Sequence, residues 1–406
     1  MQKEYWAEGA SVARGSRSAL DADEIVAAAL KRSGRRDFSD HGFLPPLRRL
    51  VAACNTEADL SALGRFALER FDIHRGLKNI LTLDAMEEVH PAVRSRPIER
   101  PIFITGMPRS GTTFLHRLLL KDPGAAAPLV WQLVDPYLPR RGPVGARLRR
   151  MWVGAQLQLV RIVAPDLNEL HPVSAAAPEE CSDITAQVFQ SLRFECTYRV
   201  PTYRRWLDGH GHREAYRFHR RFLQHLDAQA PGRRWILKSP DHVFALADIK
   251  AVYPDARFVF VHRDPVRVLG SVAKLTEVLR RPFAHSLDLA EIGRTVASCW
   301  IDGANRMIRA ADGDDSILHL RYGEIMSAPI DAARAVLCHA GLTLGEEAES
   351  RMRDWLRRAP KNGGAPRRYD LATFGLDAPT LRAQFAHYTE RFGVELEWKG
   401  GNATWV

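Results

Sequence analysis

The chain has 406 residues, 46% of them hydrophobic and 26% charged, the balance of an ordinary globular protein with one large core and an appended segment. Its formal charge is +10, from 58 Lys and Arg against 48 Asp and Glu. There is no basic tail and no helix-turn-helix, zinc-finger or RNP signature, so no nucleic-acid partner is expected. Five scattered cysteines without a C-x-x-C pair give neither a disulfide framework nor a zinc site; no apolar run is long enough for a membrane span, and the opening residues lack a signal-peptide core, so the chain reads as cytoplasmic.

In chain order, residues 1–95 read as a helical N-terminal segment. Leu20, Ile25, Val26, Ala29 and Leu30 recur at helical spacing behind Asp21 and Asp23, and Leu60, Leu63, Phe66 and Ala67 repeat the pattern. Residues 96–398 read as an α/β core. Its strands are Ile102–Thr105, Trp235–Leu237, Arg257–Val261 and Ser316–Leu320, each followed by a helical pattern; short apolar strands separated by helices predict a parallel sheet covered on both faces. The stretch 125–230 reads as helices and loops forming a cover over the strand ends. A dense basic patch runs from Arg140 to Arg161.

Between the first strand and its helix stands Gly106-Met107-Pro108-Arg109-Ser110-Gly111-Thr112-Thr113, a glycine loop with Thr where a Walker loop has Lys and with a cation inside the loop instead. Backbone N–H groups at such a helix start suit a phosphate, the two Thr hydroxyls add donors and Arg109 adds a planar fork. Without the Walker Lys, the loop suits a terminal 5'-phosphate better than a metal-bound triphosphate. A second group, His262-Arg263-Asp264-Pro265 with Ser271 two helical turns on, follows the strand Arg257–Val261. If adjacent parallel strands carry both motifs, Arg263 and Ser271 converge on a second phosphate of one nucleotide.

These two stretches, GMPRSGTTFLHRLL and ARFVFVHRDPVRVLGS, resemble the 5'-phosphosulfate loop and 3'-phosphate motif of sulfotransferases that use 3'-phosphoadenosine 5'-phosphosulfate (PAPS). HPVSAAAPEEC, ILKSPDHVFAL, LRYGEIMSAP and PRRYDLATFGLDAPTLRAQFAHYTERFG extend the resemblance to the bacterial sulfotransferases of this length. It implies a P-loop-like three-layer α/β fold with a central parallel sheet flanked by helices, PAPS as co-substrate with no metal required, and a hydroxyl-bearing small molecule as acceptor. Residue by residue, it implies that Arg109, Ser110, Gly111, Thr112 and Thr113 hold the 5'-phosphosulfate, Arg109 standing where many cytosolic relatives have Lys. Arg263 and Ser271 would hold the 3'-phosphate, Tyr322 and Phe114 would lie at the adenine, and Lys361, Arg367 and Arg368 would close over the 3' end.

Sulfuryl transfer needs cations for the charge that builds on oxygen and a base for the acceptor hydroxyl. Lys238, matching a strand-end Lys of relatives, and Arg109 supply the charge. For the base, the sequence leaves His171, His242, Glu179 and Glu180 open, because the position where tyrosylprotein relatives carry Glu reads Trp131-Gln132 here. Trp131, Tyr137, Trp152, Phe189, Phe194, Tyr198, Tyr203 and Trp206 suit either a largely apolar acceptor or the packing of the cover. A P-loop small-molecule kinase and a catalytically silent nucleotide-binding relative are the alternatives.

Overall fold

The computed structural model of the chain describes residues 19–137, 143–163, 174–358 and 370–397. Helices α1 (Ala22–Ser33), α2 (Leu44–Glu57), α3 (Ala62–Ala67) and α4 (His74–Val89) come first, with a π-helical stretch, Leu68–Ile73, joining the last two. The Asp21 side chain caps α1 by accepting from the N–H groups of Asp23 and Glu24 at 2.8 and 3.0 Å, and Gly34 closes it in the left-handed conformation.

Five parallel strands follow: β1 (Ile102–Gly106), β2 (Ala125–Ala126), β3 (Arg234–Lys238), β4 (Arg257–His262) and β5 (Ile317–Arg321), in the order β2-β3-β1-β4-β5. Three of the four expected strands match to within a residue at either end, as does the fourth, which runs one residue later than expected. The two-residue β2, inside the stretch read as helices and loops, carries no sequence signal because it is too short to show a period.

Alternation along the strands explains the three layers. Phe103, Leu237, Phe258 and Phe260 enter a core built with α1, α2, α4 and the helices Arg213–Gln229, Leu246–Val252, Pro265–Arg280 and Leu289–Ala310. Ile102, Ile104, Ile236, Val259 and Val261 enter a second core with α5 (Thr112–Leu119) and the helices Pro329–His339 and Glu346–Arg358. Both faces of the sheet are therefore dry, as a parallel sheet requires. In the cover, Phe189, Phe194, Tyr198 and Tyr203 are buried in the first core, with the Tyr203 hydroxyl donating to the carbonyl of Phe189 at 2.7 Å, so these four pack helices.

The register places the strand tips side by side. Ile104 lies opposite Lys238, Gly106 opposite Val261, and His262 opposite Arg321. Gly106 has φ +137°, and a Cβ there would come to 2.3 Å from the Val261 carbonyl oxygen. Backbone approach this close admits only glycine. Gly106→Ala should therefore destabilise the fold by about 2 kcal/mol or more, read as a lower denaturant midpoint; an unchanged midpoint would contradict the close packing of β1 on β4.

Candidate active site

Because β1 sits between β3 and β4, the chain leaves the sheet to opposite sides at neighbouring tips and opens a crevice there. The loop after β1 lies in it. Gly111, at φ +97°, begins α5, and a Cβ on it would come to 2.9 Å from the Tyr322 ring. Arg109 holds φ +64°, which costs a non-glycine residue energy unless its surroundings fix it. They do: Arg263, directly after β4, donates from Nη1 to the Arg109 carbonyl at 2.7 Å. Ser110 is fully buried, and its Oγ has no hydrogen-bond partner among the described residues; Thr112 is buried and Thr113 exposed.

Arg263 does more than hold the loop. Its Nε and Nη2 grip the Glu397 carboxylate at 2.6 and 2.7 Å, and its guanidinium lies 3.7 Å from the centroid of the Tyr322 ring. Burial works against the charge, but the hydrogen bonds and charge of Glu397 more than offset it, so the guanidinium pKa is raised. The Glu397 backbone N–H donates to Asp264 at 2.8 Å, and the His262 ring stacks on Phe392 at 3.9 Å, which fixes the C-terminal stretch against the tip of β4. Glu397 stands in a part of the sequence with no motif, so nothing in the sequence announces this partner. Ser271 is buried in the helix Pro265–Arg280.

At the tip of β3, the Lys238 side chain, 4% exposed, is paired with Glu180, whose side chain is 24% exposed. Glu180 is placed by the backbone: Glu179 N–H donates to the Pro128 carbonyl at 2.9 Å and Cys181 N–H to the Lys238 carbonyl at 3.0 Å. A buried ammonium and a more open carboxylate thus share the crevice floor. His242 lies beneath it, fully buried, with Nδ1 hydrogen-bonded with the Tyr216 hydroxyl at 2.6 Å. Burial, then His219 and Lys238, keep its pKa well below the ordinary imidazole range. Gln132 is half-buried and accepts from Leu129 N–H at 2.9 Å at the start of helix α6 (Val130–Val134).

Phe114 is part-buried, with its ring centroid 5.4 Å from that of Trp355, a residue that only its amphipathic helix pattern marks in the sequence. His171, Lys361, Arg367 and Arg368 lie outside the described residues. Among the described residues, no group of three or more His, Cys, Asp and Glu is arranged to hold a metal ion, and no helix is long and apolar enough to cross a membrane.

The fold and crevice define a class. The chain belongs to the sulfotransferase family, whose family model matches residues 101–346. It is similar to the crystal structure of sulfotransferase STF9 from Mycobacterium avium, with a TM-score of 0.81 and 28% identity over 95% of this chain and 100% of that one. Sulfotransferase STF1 from Mycobacterium tuberculosis H37Rv gives a TM-score of 0.80 and 29% identity, over 92% and 100%. A sequence relative, the omega-hydroxy-beta-dihydromenaquinone-9 sulfotransferase Stf3 of Mycobacterium bovis, is 26% identical over 270 residues, 63% of this chain. The chain spans 66% of the length of that relative.

One residue that the motifs did not single out ties the loop to the sheet. His116, in α5, is buried and meets the Ile236 carbonyl through Nε2 at 2.9 Å. Burial first and Lys238 second depress its pKa to about 3. The folded protein thus resists a proton that the unfolded chain takes up near pH 6.5, so this contribution to stability is whole above that pH and drains away as pH falls toward 3. Between about pH 6.5 and 4.5, the wild type should lose about 2–3 kcal/mol more than His116→Asn in parallel denaturant titrations. Equal slopes would contradict a neutral His116.

Proposed function

We propose that this protein transfers the sulfuryl group of PAPS to a hydroxyl of a small, largely apolar acceptor. The observation that carries the reading is the bond from Arg263 to the carbonyl of Arg109, which joins the two anion-binding motifs into one crevice. The residues fit such a co-substrate. Ser110 Oγ is a buried donor without a partner among the described residues, at a helix N-terminus, and Arg263 already grips a planar two-oxygen anion, the Glu397 carboxylate. Ser110, Gly111, Thr112 and Thr113 with Arg109 would hold the 5'-phosphosulfate, Arg263 and Ser271 the 3'-phosphate, and Tyr322 and Phe114 the adenine side.

Bound there, PAPS supplies a sulfuryl group whose bond to the 5'-phosphate oxygen breaks as the bond to the acceptor oxygen forms. Lys238 and Arg109 meet the charge that develops on the leaving oxygen and the sulfuryl oxygens. Glu180 takes the hydroxyl proton. It is favoured over His242 because its carboxylate opens onto the crevice, whereas His242 is enclosed and committed to Tyr216. Its pairing with Lys238 sets the base beside the cation at the tip of β3. The acceptor class follows the relative, since Stf3 is named for a hydroxylated menaquinone.

Incubating the purified protein with PAPS and a panel of phenols, alcohols and lipid alcohols should release 3'-phosphoadenosine 5'-phosphate in step with sulfated product. Release of ADP from ATP in place of this would overturn the reading. In the same assay, Glu180→Gln should lower kcat by about 100- to 10,000-fold with donor KM changed little, while a full rate would remove Glu180 as the base.

A further inference from the structure

Helix α7 (Pro143–Val163) rests on the molecule by one stripe and turns the other outward. Val153 is buried with Val130, Trp131 and Ala175. On the outer side, Leu148, Met151 and Trp152 are 51%, 63% and 43% exposed, and spacings of three and four residues put them on one face. Arg147 and Arg150 flank them and are exposed too. No Asp or Glu occurs anywhere in the helix. The one carboxylate described beside it, Asp135, is already taken from two sides, by Arg149 at 2.6 Å and Lys78 at 3.4 Å. Large apolar side chains exposed at a surface cost free energy, and a rim of arginines with no carboxylate partner among the described residues specifies the charge of what covers them.

We infer that the outer face of α7 docks on an anionic lipid bilayer, with Leu148, Met151 and Trp152 entering the headgroup boundary and Arg147 and Arg150 on the lipid phosphates. The layer beneath α7 leads to the reacting groups. Val130 and Trp131 donate to the carbonyls of Ala177 and Ala175 at 3.1 and 3.0 Å, and that same run of chain continues to Glu180 and its partner Lys238. Docking therefore sets the crevice one layer from the membrane surface. As a route for a lipid acceptor this rests on the transfer reading above; as a docking surface it stands without it.

The test is co-sedimentation of the full chain with vesicles of phosphatidylcholine alone or mixed with phosphatidylglycerol. The protein should partition to the anionic vesicles at least about tenfold more strongly, and the excess should fall as salt is raised. Replacing Leu148, Met151 and Trp152 together by Ser should cut anionic binding at least about tenfold, and Arg147→Gln with Arg150→Gln should erase the preference over phosphatidylcholine. Far-ultraviolet circular dichroism and turnover of a soluble phenol check that both variants remain folded. Equal partition to the two vesicles, unchanged binding by the Ser variant, or a wild type that ignores vesicles while eluting as a dimer that the Ser variant dissolves would each overturn the inference. Vesicle binding without sulfuryl transfer would uphold it and count against the transfer reading alone; transfer without vesicle binding would do the reverse.

Discussion

A single guanidinium ties the site together. Arg263 reaches from the tip of β4 to the carbonyl of Arg109 on the loop after β1, lies over Tyr322 from the tip of β5, and grips Glu397 from the C-terminal stretch. Three strand tips and the stretch around Glu397 are thereby held by one planar cation with several donors, a task that Lys, with a compact ammonium, does not perform in the same way. The strained backbone of Arg109 is held in that company, so the shape of the glycine loop depends on a residue more than 150 positions away.

Much of this was legible in the sequence, and for definite reasons. A strand ending in Gly106, with Gly111 before a helix, marks a tight strand-loop-helix turn, because both positions need backbone freedom and close approach. The spacing marked Arg263 as a strand end and Ser271 as lying in the helix that follows, and Arg263 does reach that loop. Alternating apolar strands and helices gave the covered parallel sheet, since neither face could be left wet.

What could not be read was pairing at long range. Glu180 and Lys238 lie 58 residues apart and Arg263 and Glu397 lie 134 apart, and no local pattern records either partnership. His242 illustrates the opposite difficulty: an imidazole shortly after a strand-end Lys looks available in the sequence, yet burial and Tyr216 enclose it. Gln132, which falls near a position of interest in relatives, serves the local backbone. The cover aromatics split by depth, with Phe189 and Tyr203 in the core and Trp152 at the surface, a distinction that residue type alone does not carry.

The central claim is that Arg263 reads a 3'-phosphate in the same crevice where the loop holds a 5'-phosphate. Calorimetric titration of 3'-phosphoadenosine 5'-phosphate and of adenosine 5'-phosphate into the wild type and Arg263→Ala measures this directly, because loss of loop shape weakens both nucleotides while loss of the phosphate contact weakens only the first. The wild type should prefer the doubly phosphorylated nucleotide by about 2 kcal/mol or more, and the variant should lose most of that preference. A variant that keeps the full preference would place the 3'-phosphate elsewhere and contradict the account.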